Sequence, residues 1–437
     1  MNDQLGLFDR RGEDETGDLD LGDLRAALAR TAGSPVAEAR SAPRRQQRAD
    51  RLAAARRRRR RRQSTVLALV VRALFACGVV VGYQVWRKDI TAVADFTGGG
   101  DAETVVRVQS NDTLTDIAAT LATDKVVASA AAFVNAAADN AAVKGIKTGF
   151  YKVKVHASAA AALTAITDRG ARVGQLRLIP GRQLADVSTR SAGAGKVTDG
   201  YITEITRAAC VPLNGSSNCF TPADLWRVAE TADPVALGVV GWAVPNVLKA
   251  PDARKRLEGM LVPGDYNVPP GSTAMAALQA VISASASNWN DTDLVAGAKA
   301  VKLTPYQLVT VASLVEREGI ARDMPKVARV TYNRLAVSMK LQFDSTVNYS
   351  LDRAQISTTA AERAKPSPYN TYDTAGLPPT PISSPGPDAL DAALNPDDGS
   401  WLYFVKIDLK GNSCFSVTLE QHNSCVELAR HNHVFGA

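Results

Sequence analysis

Cysteine is scarce in this chain of 437 residues, and no Cys-x-x-Cys pair occurs among its five cysteines. That absence argues against a structural zinc site. A basic excess in the main body is missing as well. The net charge of +7 looks like that of a nucleic-acid binder, but residues 1–63 hold 16 Arg against 10 acids and residues 64–88 add three more cations, so residues 89–437 carry −2. No nucleic-acid partner is therefore expected. Apolar residues are too sparse in 1–63 to offset the entropy of ordering, and that segment reads as a disordered tail.

What the chain does have begins with the arginine run Arg56–Arg62 and, directly after it, the apolar stretch Ser64–Trp86, in which Arg72 is the one charge. Twenty-three residues suffice to span a hydrocarbon layer of about 30 Å. Tyr83 and Trp86 suit the far interface, and the arginines hold the N-terminus in the cytoplasm. The expectation is a single-pass membrane protein with a linker at 87–101 and its body outside. The four cysteines of that body fall into two close pairs, which predicts disulfides Cys210–Cys219 and Cys414–Cys425.

The body alternates strand and helix patterns. Val105–Val108 reads as a strand. Ser110-Asn111-Asp112 serves as a capping start for a helix through Leu114, Ile117 and Leu121. A second helix follows at 128–139, a strand at 149–155, a helix at 158–168 and a strand at 174–179. This predicts a small α+β module over 102–181. Residues 182–255 read as a helical connecting region, and 256–437 as a second α+β domain.

Within that domain, Leu308, Val311, Ala312 and Val315 line one face of a helix that ends Glu316-Arg317-Glu318. The two glutamates sit at opposite margins of the apolar stripe, so they diverge. A carboxyl at such a margin is a candidate for a raised pKa, which acid-catalysed glycoside cleavage requires. Further on, Gln342 and Asp344 alternate across Phe343, as in a strand with both on one side. Seven of the 21 prolines lie between 366 and 387, interleaved with Tyr369, Asn370 and Tyr372. Rings that cover sugar faces and amides that bond hydroxyls fit a stiff glycan-binding loop.

Val311–Glu318, Tyr332–Leu335, Leu341–Asp344, Tyr369–Tyr372 and Gly376–Pro379 occur in the order that marks the YceG-like family, the endolytic murein transglycosylases, and over about 100–437 the chain resembles it. Glu258-Gly259, Asp265-Tyr266, Trp401–Val405 and Glu420–Asn423 resemble further motifs of that family. The strand, Ser-Asn-Asp-Thr-Leu and helix near residue 110 resemble a LysM module. The resemblance implies an α+β lytic-transglycosylase fold and cleavage of the MurNAc–GlcNAc bond of nascent peptidoglycan strands to 1,6-anhydro ends, which terminates elongation at the bacterial cytoplasmic membrane near penicillin-binding proteins. It implies no metal or organic cofactor. It assigns the acid to Glu316, with Gln342, Asp344, Tyr369, Asn370 and Tyr372 along the groove. Glu318, Asn333 and Glu258 are second candidates. Ser345 stands where the family has Pro, and Cys414 where it has His. Three alternatives stay open: a lysozyme-like hydrolase pairing Glu316 with Asp344, a non-catalytic wall-binding scaffold, and a nucleophile formed by Cys425 and His422. His431 and His433 offer a His-x-His pair for a metal.

Overall fold

The computed structural model describes residues 72–81, 93–189, 196–217, 219–290, 293–354 and 358–434. Residues 72–81 are helical, with Leu74, Phe75 and Val79–Val81 exposed. Among the described residues no helix is long and apolar enough to cross a membrane. The tail 1–63 and most of the predicted span 64–86 lie outside them.

The first part of the body forms from one hairpin-like pair of strands around two helices. Strand β1 (Glu103–Val108) pairs antiparallel with β2 (Gly149–Lys154), from Glu103↔Lys154 to Val108↔Gly149. Between them lie helices α1 (Leu114–Thr123) and α2 (Ala130–Ala137). The α1 cap is Thr113, which shares a capping box with Asp116, while Asp112 accepts the Gln109 N–H instead. Helix α3 (Ala159–Thr167) and the short β3 (Arg172–Val173) complete the module. Its core comprises Val106, Val108, Leu121, Phe133, Tyr151, Val153, Leu163 and Ile166.

The module ends at Gly174, earlier than the expected 181. Strand β4 (Gln175–Leu178) pairs with β7 (Gly264–Asn267) in a different sheet, so it belongs to the second part of the body. Gly174 takes φ 68°, and a Cβ there would lie 2.2 Å from the Val268 carbonyl oxygen, so only glycine can make this turn. Arg172 braces the joint by donating to the Thr148 carbonyl and to Asn267.

Residues 182–255 are not a connector. They supply β5 (Val187–Thr189), β6 (Lys196–Thr198) and helices α4 (Tyr201–Ala209), α5 (Pro222–Thr231) and α6 (Val244–Lys249). Leu184, Tyr201, Ile202, Ile205, Leu225 and Leu237 are buried in the same core as Leu308, Val311 and Val315. High alanine content disguises this stretch, because its core residues are divided among short helices and the turns between them.

Beyond β7 follow α7 (Ala274–Asn290), α8 (Leu294–Ala300), α9 (Pro305–Glu318), α10 (Met324–Ala336), α11 (Asp344–Ser350), β8 (Arg353–Ala354), α12 (Ala360–Arg363) and α13 (Pro387–Leu394). The hairpin β9 (Tyr403–Lys406) and β10 (Ser413–Ser416) then leads into α14 (Leu419–His431). The fold is α+β throughout.

Both expected disulfides are present, with Cα separations of 5.0 Å for Cys210–Cys219 and 6.0 Å for Cys414–Cys425. Cys425 therefore has no thiolate to offer, which removes the Cys/His nucleophile. Non-reducing peptide mapping should link 210 to 219 and 414 to 425. Replacing Cys414 and Cys425 by Ser should lower unfolding free energy by about 2–3 kcal/mol, read from urea titration, because an open loop regains entropy in the unfolded chain. A 210–414 link would overturn this arrangement.

Candidate active site

Helix α9 places the two glutamates. Thr304 and Gln307 form its capping box, and Pro305 stands at its first position, where no N–H is missed. Residues Leu308–Val315 are all buried, so the helix runs through the core and emerges in its last turn. Two residues apart on a helix means about 200° of rotation. Glu316 and Glu318 accordingly leave on opposite sides, as the spacing predicts.

Glu318 enters a cavity of about 360 Å³. Its Oε1 accepts the Ser345 N–H at 3.3 Å. Asp344, the first residue of α11, shares the cavity and accepts from Tyr372 Oη at 2.8 Å, from the Thr358 N–H at 3.3 Å and from the Thr358 hydroxyl. Gln342 and Tyr372 also line it. The predicted strand at Gln342–Asp344 is absent. Gln342 has φ 53°, and the backbone turns so that the Gln342 N–H meets the Thr371 carbonyl and the Phe343 N–H meets Thr371 Oγ1. This turn still leaves Gln342 exposed and Phe343 buried, so the expected alternation survives without the strand.

The opposite wall is the closing hairpin and α14, through Tyr403, Phe404, Lys406, Leu419 and His422. Phe404 packs against Phe343, with ring centroids 5.7 Å apart, and Tyr403 stacks on His422 at 5.2 Å. Arg334 reaches the cavity from α10. Its Nε donates to the Leu402 carbonyl at 2.5 Å and its Nη1 to those of Leu341 and Lys340, so its donors tie three segments together. Burial lowers its pKa, opposed by Tyr403, Tyr372 and Glu318. Burial, with Arg334 nearby, also pushes His422 down, which favours a neutral imidazole in the wall. Burial together with the Asp344 carboxylate pushes the Tyr372 phenol well up, so it remains a donor.

A family model described as the YceG-like family matches residues 106–428. The chain belongs to the YceG-like family. A Bacillus subtilis (strain 168) protein named endolytic murein transglycosylase is 36% identical over 174 residues, which is 39% of this chain and 47% of that one. A Streptococcus pneumoniae (serotype 2, strain D39) protein of the same name is 32% identical over 182 residues, 40% of this chain and 33% of that one. The chain thus spans less than half the length of these curated relatives. A crystal structure of a yceG-like protein from Listeria monocytogenes covers 74% of this chain and 98% of its own at 25% identity, with a TM-score of 0.47.

Several expected site residues of this YceG-like chain stand elsewhere. Glu316 is outside the cavity. It accepts the Gly386 N–H at 2.9 Å, and Gly181 is so close that a Cβ there would lie 3.4 Å from its Oε1. Burial raises its pKa as the sequence leads one to expect, with the Gly386 N–H opposing. The raised carboxyl is simply not where the cavity is. Tyr369 and Asn370 are 3% and 1% exposed, so neither can reach a glycan. Tyr369 packs edge-on against Tyr349, and the Asn370 amide donates to the Arg363 and Lys365 carbonyls. They satisfy and anchor the Pro-rich loop from within. Asn333 likewise pins the Gly399 and Trp401 carbonyls ahead of β9. Glu258 is fully interior, accepting from the Leu184 N–H and Tyr349 Oη. His431 and His433 have no companion ligands: no group of three or more metal-ligating side chains exists among the described residues. Arg334, Tyr403 and Lys406 were missed as site residues, although the first two lie inside motifs the sequence displays; His422 was considered only as a partner of Cys425, and it lines this cavity instead.

Proposed function

We propose that the chain is an endolytic murein transglycosylase whose acid/base is Glu318. One observation carries this: of the two family-motif glutamates, Glu318 shares a cavity with Gln342, Asp344 and Tyr372, while Glu316 is committed elsewhere. Among the described residues Glu318 has one hydrogen-bond donor, the Ser345 N–H, on its Oε1, which leaves its second oxygen open to substrate. Protonated, it donates to the oxygen leaving MurNAc C1. The resulting carboxylate then takes the proton of that sugar's C6 hydroxyl, O6 bonds to C1, and a 1,6-anhydro ring closes with no water consumed. Asp344, whose oxygens are filled by Tyr372 and Thr358, opposes the positive charge that builds on the ring. Gln342 and Tyr372 orient the sugar.

The exposed apolar helix at 72–81 and the preceding arginines support a single membrane span with the enzyme outside the cell membrane. There it would cut nascent strands beside penicillin-binding proteins and end their elongation, with the β1–β3 module acting as a LysM-like glycan grip. A lysozyme-like hydrolase is the second reading, because two carboxyls, Glu318 and Asp344, line one cavity. Mass spectrometry of un-crosslinked strands incubated with the full chain decides. Internal fragments with anhydro ends are expected. Reducing ends would establish the hydrolase, and binding without cleavage the scaffold.

A further inference from the structure

The cavity holds two carboxyls, and an anionic substrate must overcome them. Of its cations, Arg334 is held in place by its Nε and Nη1, which donate to the carbonyls of Leu402, Leu341 and Lys340. His422 is pushed towards its neutral form. Lys406 is different. It lines the same cavity and is half-buried, and among the described residues its ammonium has no hydrogen-bond or ion-pair partner. The pleat of β9 sets Lys406 on the face of Phe404, which packs against Phe343 beside Asp344. That strand is firmly held. Lys406 pairs with Ser413, whose N–H donates to Asp323 at 3.0 Å, and the adjacent Val405 pairs with Cys414 of the disulfide. A fixed strand carrying an uncommitted ammonium into a two-carboxyl cavity is a binding element, because an isolated partly buried cation otherwise costs free energy without return.

We propose that Lys406 forms an anion subsite of this cavity, reading a carboxylate carried on the lactyl branch of the muramyl sugar next to the bond that is cut. This rests on the glycan reading above. The carboxylate has two sources: the free lactyl group of a strand stripped of peptide, or the acidic groups of an attached stem peptide. The lysine is a specificity residue and takes no part in proton transfer.

The test uses the full chain in detergent, in the non-cleaving Glu318→Gln background, with binding of purified strands measured by fluorescence anisotropy. Three strands are compared: peptide-bearing, amidase-stripped, and one whose carboxyls have been converted to amides. Lys406→Gln should weaken binding about tenfold on at least one carboxylate-bearing strand, the size of one charge-assisted hydrogen bond. Lys406→Arg should restore most of it, and the difference should vanish on the amidated strand. Loss on the stripped strand alone identifies the lactyl group as the source; loss on the peptide-bearing strand alone identifies the stem. Equal affinities of Lys406→Gln and its parent on both anionic strands would overturn the proposal, as would an equal loss on the amidated strand. Failure of the glycan reading looks different: no strand of any kind would bind the parent.

Discussion

Glu318→Gln should abolish release of anhydro ends, with turnover falling at least ~1000-fold, whereas Glu316→Gln should stay within about threefold of the parent. General acid–base groups typically supply about 10²–10⁴ in rate, and in the proposed mechanism one carboxyl does both the protonation and the deprotonation. Glutamine at 318 can still accept the Ser345 N–H, so the local turn survives and the loss is chemical. Glutamine at 316 can still accept the Gly386 N–H. The amide is nearly isosteric with the acid, so the close approach of Gly181 and Gly386 is kept. Single-turnover assays with end-group mass spectrometry read both. A dead Glu316→Gln beside an active Glu318→Gln would return the acid to Glu316 and detach the chemistry from the cavity.

The second large effect concerns stability. Glu258→Ala should cost about 3–5 kcal/mol, because two buried donors, the Leu184 N–H and Tyr349 Oη, lose their acceptor and a hole remains. Glu258→Gln separates charge from shape. Burial pushes the Glu258 carboxyl up to about 7, partly offset by the Leu184 N–H and by Tyr349. The folded protein thus holds this proton more tightly than the unfolded chain does. Its stabilising effect is complete below the ordinary value near 4.5 and is lost as pH rises through about 7. At about 1.4 kcal/mol per unit, the parent should lose about 2–3 kcal/mol relative to Glu258→Gln between pH 5 and pH 8. Urea titrations of both proteins at the two pH values measure it. A constant difference would mean that Glu258 does not titrate in that window. Because Tyr349 belongs to the helix that begins at Asp344, the same experiment probes what holds that wall of the cavity.

Much of this architecture was legible because it is local. The helix 305–318 declared itself by its apolar stripe, the divergence of Glu316 and Glu318 follows from helical rotation, and the two disulfides follow from close pairs of cysteines. Which glutamate meets the cavity was not legible. Both margins of a stripe look alike until one knows that Gly386 and Gly181 pack on one side and the β9–β10 hairpin closes the other. Residue type misled at Tyr369 and Asn370. Rings and amides serve a glycan, but they equally serve a proline-rich loop, whose carbonyls need donors that proline cannot provide. Arg334, Lys406 and His422 come together only through contacts spanning up to 88 residues of sequence, beyond any local pattern. The boundary at Gly174 was hidden for the same reason, since β4 finds its partner almost 90 residues later.

That boundary has a bearing on avidity. Two sheets meet at a single glycine, with Arg172 bonded across the joint to Asn267, so no flexible linker separates the module from the cavity. When two binding elements are joined by a floppy tether, the second is reached at an effective concentration averaged over many separations. Here the separation has one value. On the proposed reading, in which the module grips glycan, a strand held there would be offered to the cavity at a fixed offset along its length, and a strand too short to bridge that offset would gain nothing from the first contact.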